Sequence, residues 1–179
     1  LLGGPMTIKP ITDEMREEFL SYYDEYHQAL ADAIADMKRK HGYALVIDGH
    51  SLFSVGLANV PDSGKERPDF DIGTLQGLSA DKRLIHAFCD KLSREAAACG
   101  WDMMVDHPYK GGYITQRYSD PANNVHVLQV EVKRKLYMVE GFFDPVPHEF
   151  ERIASLEQLR QVLHETYAHL ASEAHRLLE

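Results

Sequence analysis

Near the start of the chain, apolar residues return every three or four positions. Met15, Phe19, Tyr22, Tyr26, Leu30, Ile34 and Met37 fall on one side of a 3.6-residue helix, which predicts a long amphipathic helix with one apolar face. Pro10 and Thr12 open the segment, Lys38, Arg39 and Lys40 suit the negative end of its dipole, and Gly42 is a natural stop. The period then changes. Tyr43-Ala44-Leu45-Val46-Ile47 is compact, aliphatic and bounded by turn residues, and predicts a buried strand over 43–48. Residues 49–78 carry Pro61, Gly64, Pro68, Gly73 and Gly77 as punctuation, with a short strand expected over 69–74. A loop of that length inside a compact domain is more often functional than not.

Helical spacing resumes after Ser79, the expected cap of a second helix. Its apolar positions are Leu84, Ile85, Phe88 and Leu92, and it ends at Gly100. A strand is expected over 101–105, a glycine- and proline-bearing loop over 106–124, and another strand over 125–132. In that last strand, alternation puts Val125, Val127, Gln129 and Glu131 on one face. Ser155 and Gln158 have the spacing of a capping box and open a final helix. The sequence predicts one α/β domain over residues 1–179, a mixed sheet flanked by helices, with no internal repeat.

Composition narrows the class. A chain of 179 residues with 44% hydrophobic and 26% charged content is a soluble globular protein able to bury a sizeable core. No apolar run nears the roughly 20 residues that span a bilayer, and residues 1–5 are too short and lack the basic flank of a signal peptide. A net charge of −9 argues against a nucleic-acid surface. Cys89 and Cys99, on one expected helix, would lie about 15 Å apart, too far for a bridge. Reduced thiols and no membrane segment suggest a cytoplasmic protein.

The chemistry concentrates at few positions. Asp48-Gly49-His50-Ser51 closes the first strand and places His50 at its carboxyl end, where open α/β sheets put their sites. His50 could ligate a metal with Asp48 orienting the ring, or both could be satisfied by ordinary hydrogen bonds. The run is not a serine nucleophile elbow. Glu131 is either a general base or the partner of Lys133 or Arg134. The stretch around Gly111, Gly112 and Thr115 allows close approach to a ligand, or forms an ordinary turn. Arg67 and Arg117, in the two long loops, could grip a carboxylate or face solvent. His27 is expected to be a satisfied interior histidine.

Read in order, five stretches resemble the N-formylglutamate amidohydrolase family. They are Tyr22-Tyr23-Asp24-Glu25-Tyr26-His27-Gln28-Ala29-Leu30, Ile47-Asp48-Gly49-His50-Ser51, Arg67-Pro68-Asp69-Phe70-Asp71-Ile72-Gly73, the run from His107 to Thr115, and Leu128-Gln129-Val130-Glu131 continuing to Met138. The resemblance implies a zinc-carboxypeptidase-like α/β fold with one catalytic zinc, which in such sites is held by two His and one Glu. It makes His50 a zinc ligand and Glu131 the general base. The implied reaction is hydrolysis of N-formyl-L-glutamate to formate and glutamate, in histidine breakdown. A small N-acyl amino acid is then the substrate, with Arg117 first and Arg67 second as carboxylate donors and Gly112 and Thr115 beside it. By the same resemblance, the family's other two zinc ligands lie upstream, in a Pro-His-Ser-Gly-like segment and a following acidic position, and no such segment is found here. The chain is therefore expected to correspond to a C-terminal portion of the family domain, with an incomplete zinc site. Lys133 stands where the family has Asn, and Leu52-Phe53 where it tends to Met. The alternatives are a metal-free ligand- or protein-binding domain of the same fold, and a hydrolase of another N-acyl amino acid.

Overall fold

The computed structural model describes residues 9–58, 60–140 and 155–178; the first five residues and Met6 lie outside them. The first helix, α1, runs Asp13–His41. Thr12 caps it by accepting the Met15 N–H at 3.2 Å, and Gly42 closes it in the left-handed conformation at φ 77°. Both ends match the sequence signals. The predicted apolar face does not pack as a unit. Leu30 and Ile34 are half-buried, but Met15, Phe19, Tyr22, Tyr26 and Met37 are exposed. α1 rests mainly on one strand at the edge of the sheet, so among the described residues little covers its first half.

That edge strand is β1, Ala44–Leu52. It continues past the predicted end at 48, so His50 lies within the strand. It is also half-buried where a buried strand was expected, because only one neighbour flanks it. The other strands are β2, Phe70–Gly73, β3, Met103–Val105, and β4, Val125–Lys133. Their order is β1-β4-β2-β3; β4 runs parallel to β1 and antiparallel to β2, and β2 runs parallel to β3. The result is the expected α/β architecture with a mixed, four-stranded sheet.

Two helices cover one face. Helix α2, Lys82–Ala98, presents Leu84, Ile85, Phe88, Leu92 and Ala96, and helix α4, Ser155–Leu178, presents Leu159, Val162, Leu170 and Ala174. They pack on Phe70 and Ile72 of β2 and on Leu128, Val130 and Val132 of β4. Two caps differ from expectation. Asp81 caps α2, accepting the Arg83 N–H at 2.8 Å. Ser79 is fully buried and its backbone is already tied to Thr74 and Val127. Ser155 is the first helical residue of α4, and its hydroxyl donates to the Leu136 carbonyl at 2.8 Å instead of capping the helix.

The opposite face of β4 carries the site. Over it lies the stretch read as a loop, which contains a short helix α3, Tyr113–Tyr118, and a 3-10 turn at Pro121–Asn123. Six residues are too few to show a helical period in sequence. The backbone entering α3 crosses β2 so closely that a Cβ on Gly73 would meet the Gly111 nitrogen at 2.7 Å. Gly49, in the same sheet, has nothing within 4 Å of such a Cβ. Gly73→Ala should therefore cost about 1–3 kcal/mol through overpacking, while Gly49→Ala should stay within about 0.5 kcal/mol of the parent. Denaturant unfolding of the two variants measures the difference.

Candidate active site

Register brings the site together. His50 of β1 pairs with Glu131 of β4, and Glu131 pairs with Asp71 of β2, so three titratable side chains form a row on one face. The next row is Asp48, Gln129 and Gly73. Directly opposed positions sit roughly 4.5–5.5 Å apart at Cβ, which puts each group within the electrostatic reach of its neighbours.

Glu131 is 5% exposed. Its Oε1 accepts a hydrogen bond from Gln129 Nε2 at 2.9 Å, and its Oε2 is buried with no protein partner. Burial raises its pKa above the ordinary carboxylate range. His50 and the Gln129 hydrogen bond oppose that rise, and Asp71 and Asp48 add to it. The structural partners considered for it are engaged elsewhere. Lys133 Nζ lies 2.8 Å from Asp69 Oδ1, and Arg134 stacks on the Phe53 ring and donates to Ser51 Oγ at 3.3 Å. Such a carboxylate, proton-hungry and with a bare oxygen, is suited to taking a proton from water.

His50 is half exposed, and its Nε2 lies 3.0 Å from Asp48 Oδ1. Asp48 thus touches the ring, and its Oδ2 is buried without a partner. Gly112 caps α3, and its N–H donates to Gln129 Oε1 at 2.6 Å. Gly111 takes φ 123°, a region that side chains avoid, and a Cβ there would meet Leu75 Cδ2 at 2.8 Å. The glycine pair thus serves backbone packing over β2 and β4. Thr115 is fully buried beneath α3, its hydroxyl unpartnered.

The two arginines separate. Arg117 is exposed on α3, donates to the Tyr113 hydroxyl at 3.0 Å and lies over the Tyr113 and Tyr118 rings. Arg67 is buried, contrary to the solvent-facing default of a loop arginine. Its guanidinium forks onto Asp62 at 2.6 and 3.0 Å and lies over Tyr109. With its fork filled by an internal carboxylate, Arg67 shapes the wall of a cleft of about 770 Å³ that also includes Lys65, His107, Tyr109 and Lys133. That cleft adjoins the row through Lys133 but is not lined by His50 or Glu131. His27 is buried as expected, its Nδ1 2.6 Å from the Tyr118 hydroxyl.

Sequence reasoning missed Asp71. It is completely buried, and its two oxygens accept the His107 N–H at 3.0 Å and the Tyr109 N–H at 2.7 Å. Burial raises its pKa despite those two bonds. The alternation of Phe70 and Ile72 with Asp71 and Gly73 was the available signal, since it puts Asp71 on the polar face.

A sequence profile of N-formylglutamate amidohydrolases matches residues 3–138. The chain belongs to this family. It is 35% identical over 135 residues to the N-formylglutamate deformylase of Pseudomonas aeruginosa, an alignment covering 73% of this chain and 47% of that protein. The Pseudomonas putida deformylase is 32% identical over 138 residues, with 74% and 48% covered. The chain therefore spans about half the length of the curated relatives it matches. The fold agrees with the crystal structure of an N-formylglutamate amidohydrolase from Ralstonia eutropha JMP134, with TM-score 0.68, 24% identity, and 92% of this chain and 55% of that one covered. A gene product of Agrobacterium tumefaciens superposes with TM-score 0.55 at 15% identity, over 90% and 56% of the two chains. Within this family member, the row at His50, Glu131 and Asp71 is the strongest candidate for chemistry.

A raised carboxyl pKa has a sign that stability measurements can read. The folded state holds the Glu131 proton to higher pH than the unfolded state does. The associated stability is present below the unfolded value and is lost as pH rises through the folded one. Glu131→Gln removes the buried charge, so it should stabilise the chain by about 0.5–2 kcal/mol at pH 8 and much less at pH 4. Denaturant midpoints at the two pH values test this.

Proposed function

We propose that this chain carries the water-activating part of an enzyme that hydrolyses the formamide bond of N-formyl-L-glutamate to formate and L-glutamate. The observation that carries the reading is Glu131, a buried carboxylate with a raised pKa and an oxygen left without a protein partner. The deformylase names of the two Pseudomonas relatives supply the substrate.

In this reading Glu131 Oε2 takes a proton from a water whose oxygen adds to the formyl carbon. The tetrahedral adduct collapses, the carbon–nitrogen bond breaks, and the Glu131 proton passes to the departing amine. The glycine-bearing backbone flanks the acyl group, with Thr115 buried behind it. Arg117, exposed at the end of α3 and braced by two tyrosine rings, meets a substrate carboxylate. Arg67 is spent on Asp62 and contributes as a cleft wall.

The resemblance implies zinc. A tetrahedral catalytic site takes three protein donors. Among the described residues no group of three or more His, Cys, Asp or Glu side chains converges on a point that could hold a metal. His50 supplies one imidazole, and that alone does not make the site. This 179-residue chain should accordingly carry well below one equivalent of zinc after dialysis against the free ion, as elemental analysis would read. The shortage of converging donors also favours a second reading, binding without turnover. Calorimetry showing N-formylglutamate uptake with no formate released would support it.

Formate release from N-formyl-L-glutamate is the primary test. Glu131→Gln should lower kcat about 10²- to 10⁴-fold. Arg117→Lys should weaken kcat/KM without altering metal content, because a lysine cannot reproduce the guanidinium fork. Full activity in Glu131→Gln would remove the reading.

A further inference from the structure

We propose that Gln129 is a positioning residue that couples the Gly111-Gly112 backbone to the Glu131 carboxylate, so that the two move as one unit. The inference rests on the functional reading above for its consequence in catalysis, but not for the coupling itself.

A side-chain amide has one accepting end and one donating end. The Gly112 N–H can only donate, and it meets Gln129 Oε1 at 2.6 Å. That contact fixes the amide, and the Nε2 end must face Glu131, where it donates to Oε1 at 2.9 Å. Gln129 is 3% exposed, so little water competes for either bond. The consequence reaches the carboxylate. With Oε1 held, Oε2 is left as the buried oxygen without a partner, and the choice of reacting oxygen is made by Gln129.

The surroundings leave Gln129 little room. In register it sits between Asp48 and Gly73, and a Cβ on Gly112 would lie 3.2 Å from its Oε1. The far end of the same backbone stretch is clamped by Asp71 through the His107 and Tyr109 N–H groups, and Leu75 N–H bonds the Lys110 carbonyl at 2.6 Å. The stretch from 107 to 112 is therefore pinned at both ends. One pin is shared with the base. A ligand that presses on Gly112 would be felt at Glu131 through two hydrogen bonds.

Two variants separate the arms of this link. Gln129→Met keeps the volume and loses both bonds. Gln129→Glu keeps an oxygen for Gly112 but loses the donor to Glu131. In the chain itself, Gly112 amide exchange should accelerate in Gln129→Met and stay protected in Gln129→Glu. The side-chain carboxyl carbon resonance of Glu131 should shift in both. In the protein acting on N-formylglutamate, both variants should lose kcat on the order of 10- to 100-fold, with KM essentially unchanged. Adding Gln129→Met to Glu131→Gln should cost nothing further, since the two act as a unit. Unchanged Gly112 exchange and an unmoved Glu131 resonance in Gln129→Met would overturn the coupling whatever the activity. Unchanged kcat in both variants of an active protein would overturn the positioning role while leaving the deformylase reading intact. Absence of formate release from the parent would sink that reading, and the exchange and resonance measurements would still decide the link. If Gln129→Met does not fold, Gln129→Glu alone decides, through the Glu131 resonance and kcat.

Discussion

A carboxylate placed in the middle of a sheet, with strands on both sides and a helix above, has to be reconciled with its burial. In this chain that carboxylate is Glu131, and much of the surrounding structure follows from it. β4 is buried along its whole length, so its polar face cannot turn to water. Gln129 answers one oxygen, Asp69 neutralises Lys133, and Asp71 is itself satisfied by two backbone N–H groups. Each of these solutions recruits a different strand or loop. The polar half of the sheet is thereby as constrained as the apolar half beneath α2 and α4, through directional bonds rather than packing.

The strands divide the labour accordingly. On the helix-covered face, Phe70, Ile72, Leu128, Val130 and Val132 form a continuous apolar layer that fixes the strand positions. On the other face, the same strands offer His50, Glu131 and Asp71 at matching register. A one-residue slip of β1 against β4 would turn His50 away. The core on one side is what keeps the charged row aligned on the other.

Much of this was legible in the chain. Thr12 and Gly42 marked both ends of α1, the Leu84–Leu92 spacing identified α2, and alternation through β4 placed Gln129 and Glu131 together on one face. The remainder depended on contacts between segments distant in sequence. Asp81 rather than Ser79 caps α2 because it directly precedes the first helical residue, Lys82, while the Ser79 hydroxyl is buried away from the helix end. Arg67 found Asp62, five positions away in an irregular segment with no period to reveal it. Asp71 acquires its role from the N–H groups of His107 and Tyr109, more than thirty residues downstream. The exposure of the first half of α1 ran against a clear apolar pattern, because a pattern reports what a face is suited to bury and not what lies over it.

That exposure makes α1 an unequal helix. Its second half leans on β1, and its middle is pinned to α3 by His27 on Tyr118 and Tyr23 on Tyr113. Ahead of Tyr23 the helix is exposed among the described residues and held by its Thr12 cap and its own ladder, and an isolated segment of about a dozen residues is marginal in water. Fraying that enters α1 from its amino end should therefore be arrested at Tyr23 and His27. The tyrosines that brace Arg117, Tyr113 and Tyr118, are the partners of Tyr23 and His27. The placement of that guanidinium is consequently tied to the local melting of a helix whose start lies far from it in sequence.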